Sequence, residues 1–264
     1  MKKTLKRISA LALAVMLVLT LFAGCGGSSE GKKLKLGFDA SFPPMGFKDG
    51  KNYVGFDIDM ANEAVKLIDG YDGIELVPLD WDSKDSELSS GNIDMIWNGF
   101  TMHVKGRDEQ YTWSEPYMKN NQVVVVKKDS SISSIADLAG KTVGVQKDSS
   151  GLAAVEDTPE VKATFKDLVQ IGDYESALLE LESGSIDAVV MDEVVIQYKI
   201  SNGKDNVKIL DASLAQEEYG VAFLKGNTEL RDKVQKALDT MTENGKTAEI
   251  STKWFGKDIT TLGK

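Results

Sequence analysis

Two reactive side chains occur only once among the 264 residues, Cys25 and His103. One of each excludes, within a single chain, a Cys/His zinc cluster, a CxxC redox pair and a histidine relay. The chemistry that remains is that of carboxylates, hydroxyls, amides and rings standing where β-rich runs end. These are Asp39 with Phe42, then Trp81, Asn98 with Thr101, Ser149 with Ser150, and Asp192. Ligands of open α/β sheets sit beyond the carboxyl ends of strands, so these positions are the candidate binding residues. No catalytic residue, metal or cofactor is expected.

The elements that must position them alternate from Lys33 onward, short β-rich runs with helical ones, the pattern of α/β architecture. Strands are predicted over 34–38, 74–78, 93–97, 122–127, 142–146 and 188–191. One helix is expected to be capped by Asp57, to carry Ala61, Ala64, Val65 and Ile68 on one face and to close at Gly70. A second is capped by Asp173 and carries Ala177, Leu178 and Leu181. A long amphipathic helix carries Leu230, Val234, Leu238 and Met241. Residues 88–94, Leu-Ser-Ser-Gly-Asn-Ile-Asp, return 93 positions later at 181–187 as Leu-Glu-Ser-Gly-Ser-Ile-Asp. Each reads as a helix end closed by glycine and leading into a strand, so two similar α/β lobes with a cleft are expected.

Composition agrees with a folded body: 42% of residues are hydrophobic and 27% charged. The chain is neither a disordered tail nor a disulfide-stapled miniprotein. Lys2, Lys3, Lys6 and Arg7 precede an uncharged apolar run over 8–22, and residues 1–24 hold no acid, the form of a secretion signal. Removing those four positive charges from the net −10 leaves −14, which disfavours nucleic acid and anionic lipid surfaces as partners. The apolar run is too short for a confident membrane span. It ends at Phe22-Ala23-Gly24-Cys25, which resembles the lipobox of bacterial lipoproteins. That resemblance implies a lipidated Cys25 as the new N-terminus and a flexible tether over 25–32.

The body is similar to a known family. The motifs that carry the resemblance are Phe38-Asp39-Ala40-Ser41-Phe42-Pro43-Pro44, Gly55-Phe56-Asp57-Ile58-Asp59, Asn98-Gly99-Phe100-Thr101 with Arg107, Trp113-Ser114-Glu115-Pro116-Tyr117, Gly140-Lys141-Thr142-Val143-Gly144-Val145-Gln146 and Lys253-Trp254-Phe255-Gly256. They resemble the polar amino-acid-binding proteins of ABC importers, extracellular solute-binding protein family 3, over residues 33–257. The resemblance implies a two-lobe periplasmic-binding-protein fold of type II. Lobe 1 would comprise 33–121 plus 215–264 and lobe 2 would comprise 122–214, joined by hinges near 120–123 and 214–216. It further implies that Arg107 takes the ligand carboxylate, aided by Ser149, Ser150 and Thr101. Asp192 and the segment Asn98-Gly99 would meet the ammonium, Phe42 and Trp81 would flank the side chain, and Asp39 would contact the distal nitrogen of a cationic ligand. Asp148 stands where the family usually has glycine, and one residue more than usual separates Thr101 from Arg107. His103 is expected to be a solvated loop residue or to touch the pocket edge.

The expected function is therefore that of a monomeric, lipid-anchored extracellular receptor for a polar or cationic amino acid or cystine, serving the permease of an ABC transporter. The alternative is an exported enzyme on the same fold, similar to the cyclohexadienyl dehydratases.

Overall fold

Valines 123–126 are all buried, the mark of a strand covered on both faces, where each such side chain contributes about 1.5–3 kcal/mol. The computed structural model describes residues 31–104 and 106–264, and in it this strand is one of twelve. They are β1 (Lys33–Phe38), β2 (Ser41–Phe42), β3 (Gly46–Asp49), β4 (Asn52–Val54), β5 (Gly73–Pro78), β6 (Met95–Thr101), β7 (Tyr111–Trp113), β8 (Met118–Lys127), β9 (Thr142–Gln146), β10 (Asp167–Ile171), β11 (Ala188–Asp192) and β12 (Val207–Leu224). The helices are α1 (Phe56–Val65), α2 (Lys84–Ser89), α3 (Arg107–Gln110), α4 (Ser150–Glu156), α5 (Pro159–Lys162), α6 (Tyr174–Ser183), α7 (Glu193–Ser201), α8 (Thr228–Glu243) and α9 (Lys246–Phe255). None of the described helices is long and apolar enough to cross a membrane. The signal, Cys25 and nearly all of the tether lie outside the described residues.

The large sheet runs β10-β9-β11-β8-β12-β6-β1-β5, with β7 added to β12, while β2, β3 and β4 form a small sheet. At each end a central strand pairs in parallel with two neighbours, β1 with β5 and β6, and β9 with β10 and β11. The long antiparallel pair β8 and β12 joins the two ends. Its register shifts between Ile209 and Ser213 and again between Ser213 and Ala215, within and beside the expected second hinge.

The internal echo is a structural one. Gly91 and Gly184 both turn the chain in the left-handed region, at φ 77° and 83°, after α2 and α6. Three residues on, Asp94 accepts a hydrogen bond from the Lys35 N–H of β1 at 2.9 Å. Asp187 accepts one from the Thr142 N–H of β9 at the same distance. The same carboxylate thus ties each returning strand to the central strand of its own end.

Three sequence expectations need correction, the first being that α1 ends at Val65, so that Ile68 and Gly70 lie in the turn after it. Helix α1 is not capped by Asp57: the N-cap is Gly55, at φ 150°, where a Cβ would lie 2.1 Å from the Met45 carbonyl oxygen. The chain turns at the residue without a side chain, which places Asp57 inside the first turn and fully buried. Strand β6 begins at Met95 rather than Ile93, because the N–H groups of Asn92 and Ile93 still bond Glu87 O and close α2. The Asp173 cap is present, its carboxylate accepting from Ser176 N at 2.8 Å, and α8 buries the expected face.

Candidate functional site

Strand β2, the turn after β5, the end of β6, the turn after β9 and the start of α3 converge on one small cavity of about 10 Å³, room for a single water. Phe42, Trp81, Gly99, Thr101, Arg107, Ser149 and Ser150 line it, all expected from the sequence, together with Phe100, which sequence reasoning missed. An aromatic inside a wholly buried strand reads as plain core, and that is the signal it gave. Asp39, Asn98 and Asp192 do not line the cavity.

Arg107 follows Gly106, whose φ of 88° turns the loop into α3. Its side chain is 7% exposed. One terminal nitrogen donates to Thr101 O at 2.9 Å and the other to Asp148 O at 3.3 Å, and the guanidinium lies 4.6 Å from the Phe100 ring centre. Only two of five N–H donors are used, and no salt bridge engages it among the described residues. Burial opposes its charge, so an anion in the cavity is the group that would stabilise it most.

The floor is held by a buried acid. Gly99 N donates to Asp57 Oδ2 at 2.6 Å, and Asp57 also accepts from the Tyr117 hydroxyl at 3.0 Å. Burial pushes the Asp57 carboxyl up to about 8, against these donors. Gly99 itself sits at φ 55°, and a Cβ there would lie 3.0 Å from the Phe42 ring. Glycine is therefore required for both the turn and the close approach of the ring.

Asp39 stands beside the cavity, buried. It accepts from Ser41 N at 2.7 Å and Gln146 Nε2 at 2.8 Å, and burial outweighs these donors, raising its carboxyl to about 6. Asn98 Oδ1 accepts from Asp39 N at 2.5 Å, while Asn98 Nδ2 is buried without a partner among the described residues. Phe42 stacks on Tyr174 with ring centres 5.6 Å apart.

The serines turn out to serve the fold as well as the cavity. Ser149 caps α4, its oxygen accepting from Leu152 N at 3.1 Å and its hydroxyl donating to Gln146 O at 2.8 Å. Ser150 Oγ accepts from Gln122 Nε2 at 3.0 Å. Asp192 is committed too. Its carboxylate accepts from Asn120 Nδ2 at 2.8 Å, from the Tyr174 hydroxyl at 2.6 Å and from the Tyr219 hydroxyl. It occupies the N-cap position of α7 without capping it. Glu217, whose carboxyl is raised by burial and then by Asp192, accepts from Asn120 and Gln122 in the same cluster. Tyr174 and Glu217 escaped sequence reasoning, since a residue just inside a helix and one in a long strand carry no distinctive signal.

His103 is an exposed loop residue, with Asp108 at 3.5 Å and Glu218 at 3.9 Å, and is not at the cavity. It lines a wider open groove of about 1220 Å³ along residues 119–121 and 216–218, α7 and the end of α9. Among the described residues no cluster of His, Cys, Asp or Glu could hold a metal ion.

Residues 34–257 match the model of bacterial extracellular solute-binding proteins, family 3. The chain is 34% identical to the arginine-binding extracellular protein ArtP of Bacillus subtilis (strain 168), over 97% of this chain and 98% of that one. It is 29% identical to the L-cystine-binding protein TcyJ of Escherichia coli (strain K12), over 98% and 97%. An ABC uptake transporter substrate binding protein from Streptococcus pneumoniae, solved with bound histidine, superposes with a TM-score of 0.82 at 37% identity, over 87% of this chain and 94% of that one. The expected two-lobe, type II periplasmic-binding-protein fold is thereby borne out, and the chain belongs to the bacterial extracellular solute-binding proteins, family 3.

Proposed function

We propose that the protein is a lipid-anchored extracellular receptor that binds a cationic L-amino acid and delivers it to an ABC-type permease. The observation that carries this reading is Arg107, a buried guanidinium at a cavity with donors to spare and, among the described residues, no carboxylate paired to it. A ligand carboxylate is its natural complement, because the planar fork binds it through two parallel hydrogen bonds. The ammonium would go to Asp192, displacing a tyrosine hydroxyl, and a distal cation to Asp39. Two relatives support the ligand class, one named for arginine and one solved with histidine, while a third is named for cystine.

Residues 33–121 with 215–264 would form one lobe and 122–214 the other. The cavity is far smaller than an amino acid, so a ligand enters only when the lobes part and is then enclosed, a population shift driven by contacts of the closed state. The chain would act as a monomer, exported by its leader and held to the membrane through Cys25.

The second reading, an exported enzyme resembling cyclohexadienyl dehydratase, would need a general acid in the cleft, for which Asp39, its carboxyl pushed up to about 6 by burial, is the candidate. Thermal unfolding of the chain from Ser28 onward, against each of the twenty amino acids, cystine, ornithine and prephenate, separates the two. A ligand at 100 times its Kd adds about 2.7 kcal/mol. A raised midpoint with arginine, lysine, histidine or ornithine supports the receptor. A shift with cystine alone removes the cationic specificity, and a shift with prephenate alone replaces the receptor by the enzyme.

A further inference from the structure

Lys84, on α2, is 1% exposed, and its ammonium pairs with the carboxylate of Asp148 across 64 residues of sequence. Its other neighbours are weak. Trp81 O lies at 3.4 Å, Asp148 O at 3.5 Å and Asp85 Oδ1 at 4.0 Å, with the Trp81 and Phe100 rings at 5.2 and 5.9 Å. Asp148, in the turn between β9 and α4, is the one non-glycine residue with positive φ among the described residues, at 52°. A side chain in that region costs free energy that glycine would not. Its carbonyl also accepts from Arg107. Asp148 thus meets both buried cations of the opposite side, one through its carboxylate and one through its backbone. Neither Lys84 nor Asp148 lines the cavity.

We propose that the Lys84–Asp148 ion pair is a closure latch, which holds the two lobes together without touching the ligand. The inference rests on the lobe division and motion proposed above. Parting the lobes removes from Lys84 its closest charged partner among the described residues, and that ion pair is itself no part of the cavity lining. Burial disfavours the lysine charge, which is why the partner matters. The backbone conformation at Asp148 gains its compensation only in the closed arrangement. The latch therefore sets the population of closed protein and the residence time of a ligand, and leaves selectivity to the cavity.

The test is made first without ligand. Small-angle scattering and a pair of fluorophores, one on each lobe, report compactness for the native chain, Asp148→Asn, Lys84→Met and the double variant. The latch predicts that each single variant lowers the closed-to-open ratio about tenfold and that the double variant adds nothing. Asp148→Gly should open the protein equally while raising its thermal midpoint, because the carboxylate and the backbone cost leave together. L-Arginine dissociation should quicken about tenfold in every one of these variants. Native compactness in both single variants overturns the latch. So does an opening by Asp148→Asn that Lys84→Met fails to reproduce, which would assign the effect to Arg107. If no amino acid binds but the variants still open the free protein, the receptor reading fails and the latch stands.

Discussion

The two poles of the site are prepared in opposite ways. At the cationic pole, Arg107 is buried with most of its donors uncommitted and Lys84 pairs with Asp148, 64 residues away in sequence. At the acidic pole, Asp192 is already saturated by Asn120, Tyr174 and Tyr219, with Glu217 alongside. A buried guanidinium cannot shed its charge and so must be met by an anion. A carboxylate can instead be held by neutral hydroxyls, which an incoming ammonium displaces at little cost if they turn to other acceptors. On the proposed reading, the contrast teaches that the carboxylate end of a ligand would meet a preformed charge and the ammonium end an exchange of hydrogen bonds.

Breaking the cationic pole should have the largest effect. Arg107→Ala leaves the ligand carboxylate buried without its partner and should weaken binding by about 2–5 kcal/mol in isothermal titration. Thermal stability of the free protein should change far less.

Outside the Asp192 cluster, two further buried acids let pH sharpen the comparison. Asp39 has its folded value raised from 3.8 to about 6, so the folded state holds a proton that the unfolded state releases between those values. Its contribution to ligand-free stability is therefore greatest below pH 4 and is lost as pH rises through 6. Asp57, raised from 3.8 to about 8, extends the same loss through pH 8. Binding of a cationic ligand runs the other way. Its affinity should climb about tenfold per pH unit up to 6 and then level, in titrations at pH 4, 5, 6 and 7. Asp39→Asn should remove that slope, and a neutral ligand should lack it.

Asp192→Asn should cost about 1.5–3 kcal/mol of affinity through loss of a charged hydrogen bond to the ammonium. It should also let Glu217 ionise at lower pH, because a neighbouring negative charge is gone. Unchanged affinity would place the ammonium elsewhere and make the Asp192 cluster a purely structural device. The smallest effect belongs to Ser149→Ala, which removes the α4 cap and should lower stability by about 1 kcal/mol. Affinity should barely move, since that hydroxyl already serves Gln146 O.

How far the sequence revealed these features depends on the range of the interactions. The echo of 88–94 in 181–187 was legible because a glycine-closed helix and a strand-tying aspartate are local devices that repeat. Five cavity residues, Phe42, Trp81, Thr101, Ser149 and Ser150, were legible because they stand where β-rich runs end, whereas Gly99 and Arg107 were legible only through the family resemblance. What escaped are pairings between distant segments, such as Tyr174 with Asp192 and Lys84 with Asp148, for which neither partner carries a mark in its own neighbourhood. Asp57 misled for a related reason: an acid before a helical stripe reads as a cap, but the space at Gly55 decided where the helix starts.

The most direct test of the central claim is a double comparison by isothermal titration. The tightest-binding amino acid and its carboxamide are each titrated into the native protein and into Arg107→Ala. If Arg107 holds the ligand carboxylate, the carboxamide binds the native protein at least about 2 kcal/mol more weakly, and that difference nearly vanishes in the variant. An equal penalty for the carboxamide in both proteins would contradict the account, since the carboxylate would then be held by some other group.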